Sequence, residues 1–195
     1  MKTSKSVIGR FLVAAAGIVL LAGVSAFAQN KQNPERYTAT ALVESTGGAA
    51  TFVDVDIMIF QYSTPEDQKV LIQAFESGKE QGLVNALSRM SAKGHVSIPG
   101  TLGYDLAYIM KFPTPDGTKI RMVSNRPIRF GEAWADGRSM DYDLGMFELD
   151  LNNADPKKSG GMVIYAGQLQ IKDGHLNVES YGSGPFKFVR VKTWQ

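Results

Sequence analysis

The 195-residue chain contains no cysteine. Thiol nucleophiles, thiolate metal sites and disulfide bridges are therefore excluded, because each of them needs a cysteine sulfur. A bacterial lipoprotein anchor is excluded for the same reason, since its lipid is attached to a cysteine. Small exported domains often rely on disulfides, so a fold of this sequence has to be held together by hydrophobic burial.

Histidine and the short motifs of catalysis are also scarce. The two histidines, His95 and His175, fall in different predicted strand pairs, so a two-histidine metal site would depend on the fold to bring them together. The sequence has no G-x-S-x-G elbow, no P-loop, no H-E-x-x-H and no G-x-G-x-x-G after a strand. We therefore predict no catalytic residue, no metal site and no cofactor.

Long apolar runs are absent after the first 28 residues. A basic start precedes the uncharged run Phe11–Val24, and Ser25–Ala28 supplies the small residues of an A-x-A cleavage site. The run is shorter than the ~20 residues that a membrane-spanning helix needs. We predict that residues 1–28 are a cleaved signal peptide, the alternative being an uncleaved N-terminal anchor.

An excess of either charge is missing from the rest of the chain. The leader holds three of the 21 basic side chains and none of the 19 acidic ones, so the formal net charge of +2 is due to the leader. Neither nucleic acid nor an anionic membrane surface is therefore a predicted partner. We expect a periplasmic or secreted bacterial protein that has no membrane span after processing.

Alternating apolar and polar residues dominate the sequence from Arg36 onward. In the second predicted strand, one face is apolar throughout, while the other begins with Asp54 and Asp56 and ends with Tyr62. Short turn sequences join the strands, which favours an antiparallel meander. The nine predicted strands begin at Arg36 and continue with Thr51–Ser63, His95–Ile98, Leu106–Phe112, Thr118–Ile128, Asp141–Leu151, Met162–Ile171, His175–Tyr181 and Phe186–Thr193.

Residues 64–93 have helical periodicity and interrupt the strands. Thr64 is a predicted N-cap, Pro65 suits the first helical position, and Gly78 is a predicted stop before a second helix. Each helix has one apolar stripe, and we predict that both stripes cover the far end of the second strand. The side chains that decide whether the space beneath is filled or void are Phe75, Leu83 and Leu87.

These elements predict one domain, residues 29–195, of the mainly β (α+β) class. Its architecture is predicted to be a curled antiparallel meander sheet or barrel with an inserted two-helix hairpin at 64–93. The pattern leaves open whether the sheet closes into a barrel.

Three pairs of acidic residues lie two positions apart in predicted strands, so the members of each pair point to the same face. Such a pair can form a two-carboxylate hydrolytic site or bind a hard cation; alternatively, it is the solvated face of a sheet. Asp54 and Asp56 are the best candidates, because their face becomes apolar further along. The other pairs are Asp141 with Asp143 and Glu148 with Asp150.

The stretch Asn125–Tyr142 concentrates charged and aromatic residues around a glycine-rich connection. It can form the lip of a pocket, with arginines for an anionic group and a tryptophan for stacking or apolar cover. The alternative is an ion-paired crossover in which the tryptophan plugs one end of the sheet. The candidate ligand-binding residues here are Arg126, Arg129, Glu132 and Trp134.

Several short segments together resemble a group of uncharacterised exported bacterial proteins. They are Ser63–Asp67 before the helix, Gly103–Tyr108, Arg126–Phe130 and Asn177–Tyr181, with Asn125 where the group is expected to have an acid. The resemblance spans most of the mature chain and implies one domain. It implies no activity.

Three functions are compatible with these features. The first is an exported non-catalytic module that binds a small apolar or amphipathic ligand, or a partner protein of the cell envelope. The second is a carboxylate-dependent hydrolase of the envelope, with Asp54 and Asp56 or the Glu132–Asp143 region as its acids. The third is a structural or assembly role through an exposed strand edge.

Overall fold

The computed structural model describes residues 33–43, 50–126, 144–181 and 185–194. Within these residues lie nine strands, one helical element and a short 3₁₀ turn, Pro156–Lys158. The elements are β1 (Glu35–Val43), β2 (Thr51–Ile59), α1 (Pro65–Leu87), β3 (Gly94–Ser97), β4 (Tyr104–Thr114), β5 (Gly117–Ser124), β6 (Leu144–Asn152), β7 (Gly160–Lys172), β8 (His175–Tyr181) and β9 (Phe186–Trp194). Each of the nine predicted strands overlaps one of these.

The strands form one antiparallel sheet that closes on itself. From β1 to β7 each strand pairs with the next strand in the chain, and β9 pairs with both β7 and β1. Eight strands therefore form a ring in the order β1-β2-β3-β4-β5-β6-β7-β9. The ring is uneven because β3 has only four residues. The predicted mainly β meander with a helical insertion is confirmed, and the ring answers the question of closure.

The interior of the ring is an apolar core. The alternation predicted for the first strands holds: Tyr37, Ala39 and Val43 of β1 are buried inside, and so are Val55 and Ile57 of β2. Burial of such side chains is the main favourable term in folding. Other large buried side chains of this core are Ile59, Leu106, Ile109, Ile120, Met122 and Phe147.

The outer part of the β7–β8 hairpin leaves the ring and forms part of a second layer outside it. β7 pairs with β6 as far as Gly167 and continues beyond it with β8 alone. Arg121 of β5 donates to a backbone carbonyl of β8 and to Oδ1 of Asn177, at 2.9 Å in the second case. The ring of His175 meets Phe112 of β4 edge-on, with 5.1 Å between centroids. The end of the hairpin therefore lies over the outer face of β4 and β5.

α1 begins with a capping box. The Thr64 hydroxyl accepts the Asp67 backbone N–H at 3.2 Å, and the Asp67 carboxylate accepts the Thr64 backbone N–H at 2.8 Å. Pro65 occupies the start of the helix, as predicted. Asp67 also forms a 2.9 Å ion pair with the buried Lys93, which fixes the start of the helix to the chain that enters β3.

α1 is broken at Lys79, whose φ of 51° and ψ of −138° are not helical. The segments 65–78 and 80–87 lie against each other so closely that a Cβ on Gly82 would be 2.0 Å from the Ala74 carbonyl oxygen. Only glycine fits there. The predicted two-helix hairpin is therefore confirmed, with its break one residue after Gly78.

The two helical segments pack on the outer face of the ring and complete the second layer. Leu83 and Leu87 are fully buried, so they fill the space beneath the helices and do not line a void. Our expectation that the helices cover the far end of β2 is wrong, because their buried side chains contact the outer faces of β4 to β8. The second core comprises Leu71, Leu83, Leu87, Ala107, Tyr108, Val123, Leu144, Met146, Ile164, Leu169 and Leu176.

Candidate functional site

The other half of the outer surface is formed by β9, β1, β2 and β3. In the part of the chain that the structure describes, the second core, which contains the buried residues of α1 and β8, includes no residue of these four strands. Its outward side chains form cross-strand rows. One row contains Trp194, Arg36, Met58 and His95, and the next contains Lys192, Thr38, Asp56 and Ser97.

A groove with a volume of about 330 Å³ runs across these rows. This volume lies at the lower end of the ~300–1,000 Å³ of small-molecule sites. The lining is of mixed chemistry, since it combines an indole and a thioether with charged groups and hydroxyls. Its main side chains are Arg36, Thr38, Asp56, Met58, His95 and Trp194.

Trp194 is the largest apolar side chain of the groove, and 61% of its surface is exposed. Its indole N–H donates a hydrogen bond to the Thr38 hydroxyl at 3.3 Å, which ties the ring to β1. An exposed indole offers a large, rigid apolar surface at low entropic cost, and tryptophan is therefore enriched among residues that dominate binding. The groove thus contains a pre-positioned aromatic surface.

Arg36 and Asp56 supply two opposite charges to the groove. Arg36 lies opposite Met58, two residues from Asp56, so the two charged residues are diagonal neighbours about 7–8 Å apart at their backbones. Among the described residues, none of the ion pairs includes either of them. Both side chains are exposed in the groove and have no counter-ion among the described residues.

At the β3 side, the groove is lined by His95 and Ser97. His95 Nδ1 lies 3.1 Å from a carboxylate oxygen of Asp105. Gly103, at a φ of 65°, packs so closely behind the imidazole that a Cβ would lie 2.6 Å from His95 Nε2. Arg126 donates to the Gly103 carbonyl at 3.2 Å, and its guanidinium lies 5.1 Å from the Tyr104 ring.

The six predicted site residues are only partly brought together. Asp56 lines the groove, and Asp54 lies on the same exposed face, where it accepts a hydrogen bond from the Thr40 hydroxyl at 3.0 Å. Arg126 does not line the groove but holds the loop behind it. Arg129, Glu132 and Trp134 lie outside the described residues.

Sequence reasoning missed Arg36, Met58 and Trp194 as groove residues. The pattern of β9 offered one indication, because Trp194 continues the polar, outward face that contains Lys192. A tryptophan at such a position is unexpected on a solvated face. Its neighbours, however, come from the pairing of the last strand with the first, which no local sequence pattern predicts.

A second polar cluster lies where β1 begins. One Glu35 carboxylate oxygen accepts hydrogen bonds from the hydroxyls of Tyr37 at 2.6 Å and Tyr62 at 2.7 Å, and Lys111 pairs with the carboxylate at 2.9 Å. Burial alone would raise the pKa of Glu35, but these hydrogen bonds and the lysine charge outweigh it, so the pKa is lowered. Burial and the adjacent carboxylate raise the pKa of both tyrosines. Glu35 is therefore ionised at neutral pH and cannot act as a general acid.

The described residues contain no group of three or more histidines and carboxylates that could hold a metal ion. No helix in the same ranges is long and apolar enough to cross a membrane.

Compared with protein-family models, curated proteins and solved structures, the chain matches none of them.

Proposed function

We propose that the chain is an exported, non-catalytic binding module that takes a small amphipathic ligand in the groove on β9, β1, β2 and β3. The observation that carries this proposal is the combination, in one concave surface, of the exposed Trp194 indole with Arg36 and Asp56, which form no ion pair with any described residue. Apolar area supplies affinity in such sites, and a few polar groups fix the orientation of the ligand.

The hydrolase alternative has less support. A carboxylate hydrolase needs one carboxyl that is protonated near neutral pH and lies close to a second, ionised one. Glu35 is held ionised by its hydrogen bonds, and Glu148 is enclosed by Lys119 and Arg121. These contacts give both acids structural roles.

The assembly alternative is weakened by the ring. An exposed strand edge attracts other chains because its N–H and C=O groups have no partners. Closure by the β9–β1 pairing gives each of the eight ring strands two neighbouring strands, so that β8, which pairs with β7 alone, is the only edge strand among the described residues. We therefore favour ligand binding over assembly through an edge.

The test is a screen of a small-molecule fragment library by NMR on isotope-labelled protein. Fragments that bind in the groove should shift the Trp194 indole N–H and the Met58 methyl resonances together. Because tryptophan is typically a dominant binding residue, Trp194→Ala should weaken these fragments by about tenfold or more.

Phe52→Ala is the matched control. Phe52, on β2, is like Trp194 an exposed aromatic residue, with 56% of its surface exposed, but it does not line the groove. It should leave the affinities unchanged. Fragment shifts that map elsewhere, or equal losses in the two variants, would refute the proposal.

A further inference from the structure

We infer that the ligand class of the groove is a small zwitterion with a flat or branched apolar group, such as an aromatic or aliphatic α-amino acid. This inference rests on the proposed function and specifies its ligand. It is carried by the placement of two opposite charges beside an apolar surface.

The first step is that both charges are available to a ligand. Some neighbouring acids and bases elsewhere in the described structure form direct contacts, as Lys111 does with Glu35 at 2.9 Å. Arg36 and Asp56 form no ion pair with any described residue. Lys192 shares a row with Asp56 but lies two strands away, and no ion pair joins these two described residues.

The second step is the placement of the two charged residues on adjacent strands. As diagonal cross-strand neighbours, Arg36 and Asp56 have backbones about 7–8 Å apart. A ligand that bridges them must present its anion to the guanidinium and its cation to the carboxylate, through charge-assisted hydrogen bonds of about 2.8 Å each. The carboxylate and ammonium of an α-amino acid are attached to one carbon, so a single small ligand can contact both of these neighbouring side chains.

The third step is the position of the apolar surface. Met58 lies directly opposite Arg36 on one side, and Trp194 lies opposite Arg36 on the other. A ligand held by the two charges therefore has an indole and a thioether within reach of its side chain. A ligand with a single charge would form a charge-assisted hydrogen bond with only one of Arg36 and Asp56, so it should bind more weakly than a ligand that reaches both.

The experiment compares three probes that share one carbon skeleton, by NMR titration of the full chain at neutral pH. L-Phenylalanine has both charges, 3-phenylpropionate lacks the ammonium, and phenethylamine lacks the carboxylate. We expect L-phenylalanine to bind in the millimolar range, as suits a ligand of this size, and at least about tenfold more tightly than either analogue.

Two variants assign the charges separately. With Arg36→Met, L-phenylalanine should bind no better than phenethylamine, because the partner of its carboxylate is gone. With Asp56→Asn, it should bind no better than 3-phenylpropionate. Both residues are exposed, so neither change should affect folding.

The outcomes separate this inference from the proposed function. Equal affinity for the three probes, or no binding of both L-phenylalanine and L-leucine, would overturn the zwitterion inference. The proposed function would survive that result if other fragments still shifted Trp194 and Met58 together. It would fail with the inference if no fragment did so.

Discussion

Replacing Glu148 by glutamine tests how the second layer is attached to the ring. Glu148 lies on the outer face of β6 with only 4% of its side chain exposed. Its carboxylate accepts hydrogen bonds from Lys119 Nζ at 2.9 Å and from Arg121 Nε at 2.6 Å. Arg121 also donates a hydrogen bond to Asn177 of the β7–β8 hairpin at 2.9 Å. Glu148→Gln keeps the size of the side chain and removes its charge.

The cost is set by the two cations that remain. Arg121 is 16% exposed and Lys119 is 28% exposed, so neither can be fully solvated once the carboxylate is gone. Removing one member of a buried ion pair typically costs 3–5 kcal/mol, and a glutamine oxygen can still accept one hydrogen bond. We therefore expect the free energy of unfolding to fall by about 2–4 kcal/mol. At about 2–4 °C per kcal/mol for a chain of this size, the melting temperature should fall by roughly 10 °C.

Asp150→Asn is the matched control. Asp150 pairs with the same lysine, Lys119, at 3.1 Å, but 49% of its side chain is exposed. Exposed ion pairs contribute less than about 1 kcal/mol, so this variant should lose no more than about 3 °C. Chemical denaturation gives both free energies. Hydrogen exchange should show that Glu148→Gln, unlike Asp150→Asn, lowers protection in β8, because Arg121 holds that strand.

This prediction would be refuted if Asp150→Asn cost as much as Glu148→Gln. It would also be refuted if Glu148→Gln cost less than about 1 kcal/mol, the range of a solvated pair. Either result would mean that burial does not determine the energetics of this cluster.

Two further predictions concern the ring and its second layer. Because the pKa of Glu35 is lowered in the folded state, this residue stabilises the fold at pH values above the usual glutamate pKa of about 4.3, and the contribution is lost as the pH falls through the lower pKa of the folded state. Glu35→Gln should therefore make the free energy of unfolding, measured by urea denaturation, depend less steeply on pH in the acid range. An unchanged pH dependence would contradict this prediction. Leu83→Ala, at a fully buried position, should cost about 2–5 kcal/mol, whereas Val70→Ala, at a position 49% exposed on the same helical element, should cost less than about 0.5 kcal/mol in the same denaturation assay.

Local patterns in the sequence predicted the elements well. Alternation identified the buried faces of β1 and β2, and the capping residues Thr64 and Pro65 located the start of α1. These features depend on neighbours within a few residues, which is why a single sequence is sufficient to find them. The close packing of Gly82 on Ala74 could not be predicted in this way, because it depends on the angle between the two helical segments on either side of the break.

Closure of the ring and the location of the groove could not be predicted in this way. Both depend on the pairing of β9 with β1, which joins Arg36 to Trp194 across most of the chain. The register of that pairing is further shifted between Thr38 and Thr40. A period of two shows which side chains share a face, but it does not show which strand lies alongside.

The place of the helical hairpin did have an indication in the sequence. β6 is apolar on both faces, with Leu144 and Met146 on one side and Phe147 and Leu149 on the other. A strand with two apolar faces has to be covered on both. The helices therefore pack where the outer face is apolar, although they follow β2 in the chain.

The polarity of the outer face also accounts for the location of the groove on β2 and its neighbours. Asp54 and Asp56 make the outer face of β2 polar, so covering it with helices would bury charges at a high cost. That face is instead left to solvent in the described structure, and its concave part contains Trp194 as an exposed apolar side chain. The acidic pair that first suggested a site thus has two effects: it directs the helical layer to the opposite half of the ring, and it supplies one of the two charges to the groove that remains open.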